Sequence, residues 1–211
     1  MKGRQGHAGS PHLAENALEK AIPFLGDLSK YAKLRERIRS SIPSPPGSPH
    51  KKIWGRFSIT MLSAGTKENV IPGECEARFD LRVCPDEDCE AARKDLERYF
   101  EKLRSAHKLN ATLEYTLQTA SNYFTDPEHP LVKRFSRAAE EVFGQQIPVA
   151  AGLGGNDGHY FANLGIPVIS FGPIRDECNE HGADEFVYLR DIQLVKRALV
   201  NLVRDWNKDE M

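Results

Sequence analysis

The side chains able to do chemistry fall at a few places. The first is "GGNDGHYF" (154–161), where Gly154, Gly155 and Gly158 flank Asn156 and Asp157. Small residues let backbone amides approach a carboxylate, so this stretch fits a binding loop. Asp157 equally fits the N-cap of a short helix. The second is His181, in "ECNEHGADEF", just after the apolar run "IPVISFGP". Open α/β sheets gather ligands at such places, and the residue is either a metal ligand or an ordinary loop histidine. Cys178 and His181 look like half of a zinc pattern, but no second Cys/His pair stands at zinc-finger spacing. One ligand cannot hold zinc, which takes about four. The remaining candidates are Arg82, on the polar face of an alternating stretch, Asn69, in a Gly-Thr…Asn turn, and His7, between glycines and a helix. By residue type alone they read as a solvated arginine, a turn former and a loop histidine.

The elements that must position these residues change style near residue 120. Before it, residues 12–39 carry Leu13, Ala17, Leu18, Ala21, Leu25 and Leu28 at helical steps, with a kink or restart expected near Pro23. "SSIPSPPGSPH" (40–50) reads as loop. "IWGRFSITMLSAG" (53–65) and the alternating "CEARFDLRV" (75–83) read as strands, the second half-buried. Asp86 is placed to cap a helix over about 87–107, with Leu96, Phe100 and Leu103 on its apolar face, and "ATLEYTLQTA" (111–120) alternates again. With a short strand at the N-terminus the order is βαββαβ, the ferredoxin-like split motif. After residue 120 come a helix (129–144), an apolar strand from Ile147, a short helix (157–164), a second apolar strand from Ile166 and a closing helix (188–206) with Ile192, Val195, Leu199 and Val203 on one side. Non-alternating strands between helices point to a parallel α/β sheet, of which two strands are only a part. The expected class is α+β: a lid over 1–120 and an α/β segment over 121–211.

Composition removes several partners. There are 29 basic and 30 acidic residues and a net charge of −1, which gives no reason to expect nucleic acid or an anionic membrane. No apolar run reaches the ~20 residues that span a bilayer, and the N-terminus has no apolar h-region. Cys75, Cys84, Cys89 and Cys178 do not form a disulfide framework, so cytoplasmic residence with reduced thiols is expected.

Three stretches together resemble a known family. "GRQGHAGSPHLAENAL", "SAGTKENVIPGECEARFDLRV" and "GGNDGHYFANLGIPVISFGP" followed by "HGADEF" are similar, in order, to segments of the zinc metallopeptidases that include succinyl-diaminopimelate desuccinylase, acetylornithine deacetylase, aminoacylase and carnosinase-like dipeptidases. The resemblance implies a ferredoxin-like dimerisation lid followed by the C-terminal part of an α/β catalytic domain. It implies a homodimer, a two-zinc site in the complete enzyme, and cleavage of N-acyl amino acids or small dipeptide-like amides. It makes His181 a metal ligand and His7 an oxyanion donor reaching a partner's site. It makes Arg82 a clamp for a substrate carboxylate and Asn69 a hydrogen-bonding contact to substrate. Gly154, Gly155, Asn156, Asp157 and Gly158 become a substrate loop. Where the family often has arginine this chain has His159. The family's His-x-Asp pair, bridging aspartate, Glu-Glu pair and further carboxylate belong to an N-terminal half with no counterpart here. The chain alone is therefore expected to be inactive, with that half supplied separately or the chain serving as a non-catalytic dimerisation or regulatory module.

Overall fold

The computed structural model describes residues 1–115 and 122–206. The chain divides into two compact units, one of Met1–Ser41 with Lys52–Asn122 and one of Ile42–Lys51 with Tyr123–Met211.

From the N-terminus the elements run β1 (Gly6–His7), α1 (Ala17–Ser29), α2 (Tyr31–Arg35), β2 (Arg39–Pro43, whose last two residues are counted with the second unit), β3 (Lys52–Trp54), β4 (Arg56–Ala64), β5 (Val70–Ile71), β6 (Cys75–Arg82) and α3 (Cys89–Ala106). β4 pairs antiparallel with β6, and β1 with β5. Lys2 bridges Glu74 on one side and Asn110 on the other. The lateral order is therefore the Asn110 stretch, the N-terminal run, the 70–82 run and β4. That is the order of a βαββαβ motif, and the fold is α+β.

The alternation of β6 sends Phe79 and Leu81 inward with Phe57 and Ile59 of β4. They meet Phe24, Leu28 and Tyr31 from α1 and α2, and Leu96 and Phe100 from α3. The rings of Phe24 and Phe100 pack edge to face at 5.5 Å. Each such side chain contributes ~1.5–3 kcal/mol on burial.

Several local expectations are corrected. The helix expected over 12–39 starts at Ala17, where the Asn16 carboxamide oxygen accepts from Leu18 N (3.0 Å) and Glu19 N (3.2 Å). It runs unbroken through Pro23 and is interrupted at Lys30 instead. Proline deletes the bond to the carbonyl of Glu19, and Glu19 is exposed, so water can replace it. Residues 40–43 are strand rather than loop; Ser44 N donates to Lys51 O and closes the turn. Asp88, not Asp86, caps α3, accepting from Glu90 N (2.9 Å) and Ala91 N (3.1 Å). Asp86 is occupied by the amide and hydroxyl of Ser41. Of the strand expected over 111–120, residues 111–115 form no ladder beyond the Asn110 bridge, and 116–120 lie outside the described residues.

In the second unit α4 (Pro130–Phe143), α5 (Gly158–Ala162) and α6 (Leu189–Trp206) are joined by irregular segments, the last containing a 3-10 turn at Asp176–Cys178. α4 ends at Gly144 with φ +71°, a left-handed cap that favours glycine. Ala139 and Ala198 are fully buried where α4 meets α6. Phe135, Ile147, Ile169, Phe171 and Leu202 complete that core. The apolar runs at 147–151 and 166–171, expected as strands of a parallel sheet, form no strand and join no ladder among the described residues. α6 also turns a different face inward. Ile192, Leu199 and Val203 are exposed (42, 48 and 64 %), whereas Asp191 and Ala198 are buried. The inward stripe begins with a carboxylate, which a hydropathy pattern places outside. Asp191 goes in because Arg175 meets it with two hydrogen bonds, Nε at 2.5 Å and Nη2 at 2.7 Å.

Candidate functional site

The structure brings two of the candidates in the first unit together. In the β1–β5 ladder His7 stands opposite Val70, and Ala8 N donates to Asn69 O at 2.9 Å. His7 and Asn69 are thus neighbours on one edge, beside an open cleft of about 780 Å³ lined in part by Ala8, Glu15, Glu68 and Val70. His7 Nδ1 accepts from Gly9 N at 3.0 Å. In the neutral ring Nε2 therefore carries the proton, making the exposed end of the imidazole a donor. A Cβ on Gly9 would lie 3.0 Å from Nδ1, so a larger residue there would press the imidazole aside by a few tenths of an ångström. Arg82 closes β6, at the opposite end of the 70–82 run from Val70, and is not brought to His7 within this chain. Its Nε donates to Asp80 at 2.7 Å. Its carbonyl accepts from Arg35 Nη2 at 3.1 Å, and Arg35 is itself buried and held by both oxygens of Glu87. The end of the strand is fixed while the Arg82 side chain stays half in solvent.

In the second unit the loop from Gly154 is pinned at Asn156. Its Oδ1 accepts from Tyr123 OH and Gly158 N, both at 2.8 Å, and its Nδ2 donates to Ser170 Oγ at 3.1 Å. The side chain read as a substrate contact is therefore largely committed to the protein, and it caps α5. Asp157 precedes α5 with helical dihedrals and no side-chain cap bond. Gly158 is crowded: a Cβ would meet Asn156 Oδ1 at 2.6 Å, Tyr123 OH at 2.7 Å and Val168 Cγ1 at 2.8 Å. Gly154 and Gly155 stay exposed. Sequence reading missed Tyr123, which carries no pattern, and Ser170, whose one signal is a hydroxyl inside an apolar run.

His181 projects from a loop closed on itself. Phe186 N donates to Cys178 O at 3.1 Å, Asn179 Nδ2 to Ala183 O at 2.6 Å, and His181 N to a Glu185 oxygen at 3.2 Å. Asn179, His181 and Asp184 all have positive φ, 56°, 62° and 60°. Left-handed non-glycine residues carry a backbone cost, here met by Asn, His and Asp, the types that enter this region most readily. The imidazole is 92 % exposed and its nearest carboxylate, Glu180, is 4.0 Å away.

With this geometry in place, the comparisons identify the family. Residues 1–108 match the peptidase dimerisation domain of the M20 peptidases, and the chain belongs to that family. It is 30 % identical over 207 residues to a succinyl-diaminopimelate desuccinylase from Thioalkalivibrio sulfidiphilus, covering 97 % of this chain and 49 % of that protein. Among solved structures it is similar to the di-peptidase Dug1p from Saccharomyces cerevisiae, with a TM-score of 0.73 and 14 % identity over 95 % of this chain and 51 % of that one. It is also similar to the M20 family metallo-carboxypeptidase Sso-CP2 from Sulfolobus solfataricus, with a TM-score of 0.59 and 15 % identity over 96 % of this chain and 55 % of that one. At these identities the structural likenesses show the fold. The chain spans about half the length of the curated relatives it matches.

Among the described residues no group of three or more His, Cys, Asp or Glu side chains is placed to hold a metal ion. A zinc site needs about four donors, and His181 offers one, so these residues do not by themselves fit the metal. No described helix is long and apolar enough to cross a membrane.

Proposed function

We propose that this chain is the lid (residues 1–120) and the C-terminal catalytic segment (121–211) of a metal-dependent amide hydrolase acting on N-acyl amino acids or small dipeptide-like amides. The observation that carries the reading is the colinear match of nearly the whole chain to half of a desuccinylase. The metallo-carboxypeptidase among the structural neighbours supports dependence on a metal, for which zinc is our assignment. His181, exposed on a strained loop, is its one ligand from this chain; the other ligands and the general base come from an N-terminal half. The apolar residues left exposed on α5, just after it and on α6, among them Phe161, Leu164, Leu199 and Val203, support such a partner.

In this reading the chain's own groups bind and orient. His7 donates Nε2–H to charge that develops on the carbonyl oxygen, where a preorganised donor acts most strongly. Asn69, its neighbour, bonds the substrate. The amides of Gly154 and Gly155 meet a carboxylate on a loop fixed by Asn156, and Arg82 clamps a carboxylate with its planar fork. The lid pairs with a second copy, and the protein works in the cytoplasm.

A second reading is a dimerisation or regulatory module without catalysis, which fits the finding that no group of three or more potential metal ligands is placed together among the described residues. Both readings expect a two-fold dimer by light scattering, and a monomer at micromolar concentration counts against both. Both expect no turnover of N-succinyl or N-acetyl amino acids by the chain alone with added zinc. Chelator-sensitive turnover with about two zinc ions per chain would overturn both, because the chain would then hold a complete site.

A further inference from the structure

Two histidines of this chain are held in opposite tautomers. At His7, Gly9 N donates to Nδ1, so the proton of the neutral ring sits on Nε2. At His159 the sense is reversed. Its Nδ1 lies 2.8 Å from the backbone oxygen of Asn156. A carbonyl oxygen only accepts, so Nδ1 must carry the proton. Nε2 of the neutral ring is then a bare lone pair, an acceptor. Two contacts hold this orientation. Asn156 is fixed through its carboxamide to Tyr123, Ser170 and Gly158 N. The Tyr160 ring stacks on the imidazole, with centroids 3.9 Å apart. Among the described residues Nε2 has no hydrogen-bond partner.

The surrounding chain offers no cation to meet an anion here. No lysine or arginine lies between Arg137 and Arg175. The side chains bonded to the loop from outside it, Tyr123 and Ser170, bring hydroxyls. Beside the ring the titratable groups are the Tyr160 phenol, the Tyr123 phenol and Asp157, which is exposed and makes no side-chain cap bond. A carboxylate brought to the neutral ring would meet a lone pair, with Asp157 two residues away. An N–H or O–H would meet an acceptor whose direction is already set.

We propose that His159 is a specificity-determining residue of the loop, its Nε2 accepting a hydrogen bond from an uncharged donor of the substrate. The loop then takes one carboxylate at the amides of Gly154 and Gly155. At His159 it takes an amide or hydroxyl in preference to a second carboxylate. The physiological ligand rests on the reading of 154–158 as a substrate loop, whereas the tautomer and the preference belong to the chain itself. A dicarboxylate is matched only when the ring is protonated, because Nε2 then becomes a donor.

The test is a titration of the full chain with sodium succinamate and sodium succinate at constant ionic strength, followed by NMR at the ring nitrogens of His159. The two probes share a carbon chain and one carboxylate. They differ in the other end, a carboxamide in one and a carboxylate in the other. At about pH 8, where an imidazole is neutral, the free chain should show the Nδ1–H tautomer. Succinamate should move Nε2 along a saturating curve at about tenfold lower concentration than succinate, the worth of one hydrogen bond. In acid, once both ring nitrogens carry protons, succinate should gain and the gap should close. His159→Phe keeps a ring to stack on Tyr160 and removes both nitrogens. The two probes should then bind alike, as read at the amides of Gly154 and Gly155. His159→Arg should prefer succinate, and it carries the test if the amide spectrum shows His159→Phe unfolded. An Nε2–H tautomer in the free chain, succinate binding as tightly as succinamate at about pH 8, a preference that survives His159→Phe, or no saturable shift with either probe overturns the assignment. Movement of Nε2 with zinc chloride alone and not with succinamate also overturns it, making the nitrogen a metal ligand. Because no turnover is measured, failure here leaves the hydrolase reading to the zinc and turnover assay, and an inert enzyme leaves the preference at His159 standing.

Discussion

Asn156 shows how the fold can occupy a side chain whose type suits a ligand. Its type and glycine neighbours point to a ligand contact, yet its carboxamide is spent on Tyr123, Ser170 and the first amide of α5. In the proposed reading it is the backbone of that loop that faces a ligand. Gly158 makes the packing testable, because its missing Cβ is what lets Tyr123, Asn156 and Val168 converge. Gly158→Ala should cost ~1–3 kcal/mol, the usual penalty for overpacking, in the urea unfolding of the second unit. Gly154→Ala, with no atom within 4 Å of the added carbon, should cost far less. Equal stability of the two variants would show that the Tyr123–Asn156 contact is not maintained in solution. His7 and Asn69 were legible one at a time, but their adjacency was not. It depends on β1 folding back against β5, a pairing of two residues per strand that leaves no periodicity to read.

Elements with one strong face were read well, and those whose faces are decided by a single tertiary contact were not. β6 alternates as its sequence says, and α4 runs to its glycine cap. α6 was rotated by the Arg175–Asp191 pair, which no pattern announces. The start of α3 was misplaced by two residues because two aspartates compete there and only the fold assigns Asp86 to Ser41. That assignment has a pH signature. Burial raises the Asp86 carboxyl, but hydrogen bonds from Ser40 and Ser41 outweigh it and bring it down to about 2, from an ordinary 3.8. A carboxyl depressed by folding stabilises the fold fully above its unfolded value and loses that contribution as pH falls through its folded value. The stability difference between the parent and Asp86→Asn should therefore be constant above pH ~4 and shrink as pH falls toward about 2. A difference that does not change across that window, followed by chemical unfolding, would show that Asp86 does not hold β2.

At the scale of the whole molecule the two units are unequally built. The first closes ladders and a core of aromatic and aliphatic side chains from three helices and two strands. The second has apolar runs that join no ladder among the described residues, and leaves Phe161, Leu164, Ile166, Leu199 and Val203 exposed. Amides at 147–151 and 166–171 should exchange with solvent faster than those of β4 and β6, and equally slow exchange in a dilute monomer would show that the second unit is complete by itself. The central claim, that this chain is one part of a metal-dependent amide hydrolase, is tested most directly by a chimaera. In it, this chain replaces the matching 49 % of the Thioalkalivibrio sulfidiphilus desuccinylase, and the rate of amine release from an N-succinyl amino acid is measured with zinc. We expect turnover from the chimaera, abolished by His181→Ala, and none from the chain alone. A folded, zinc-loaded chimaera that is inert, or turnover that survives His181→Ala, would contradict it.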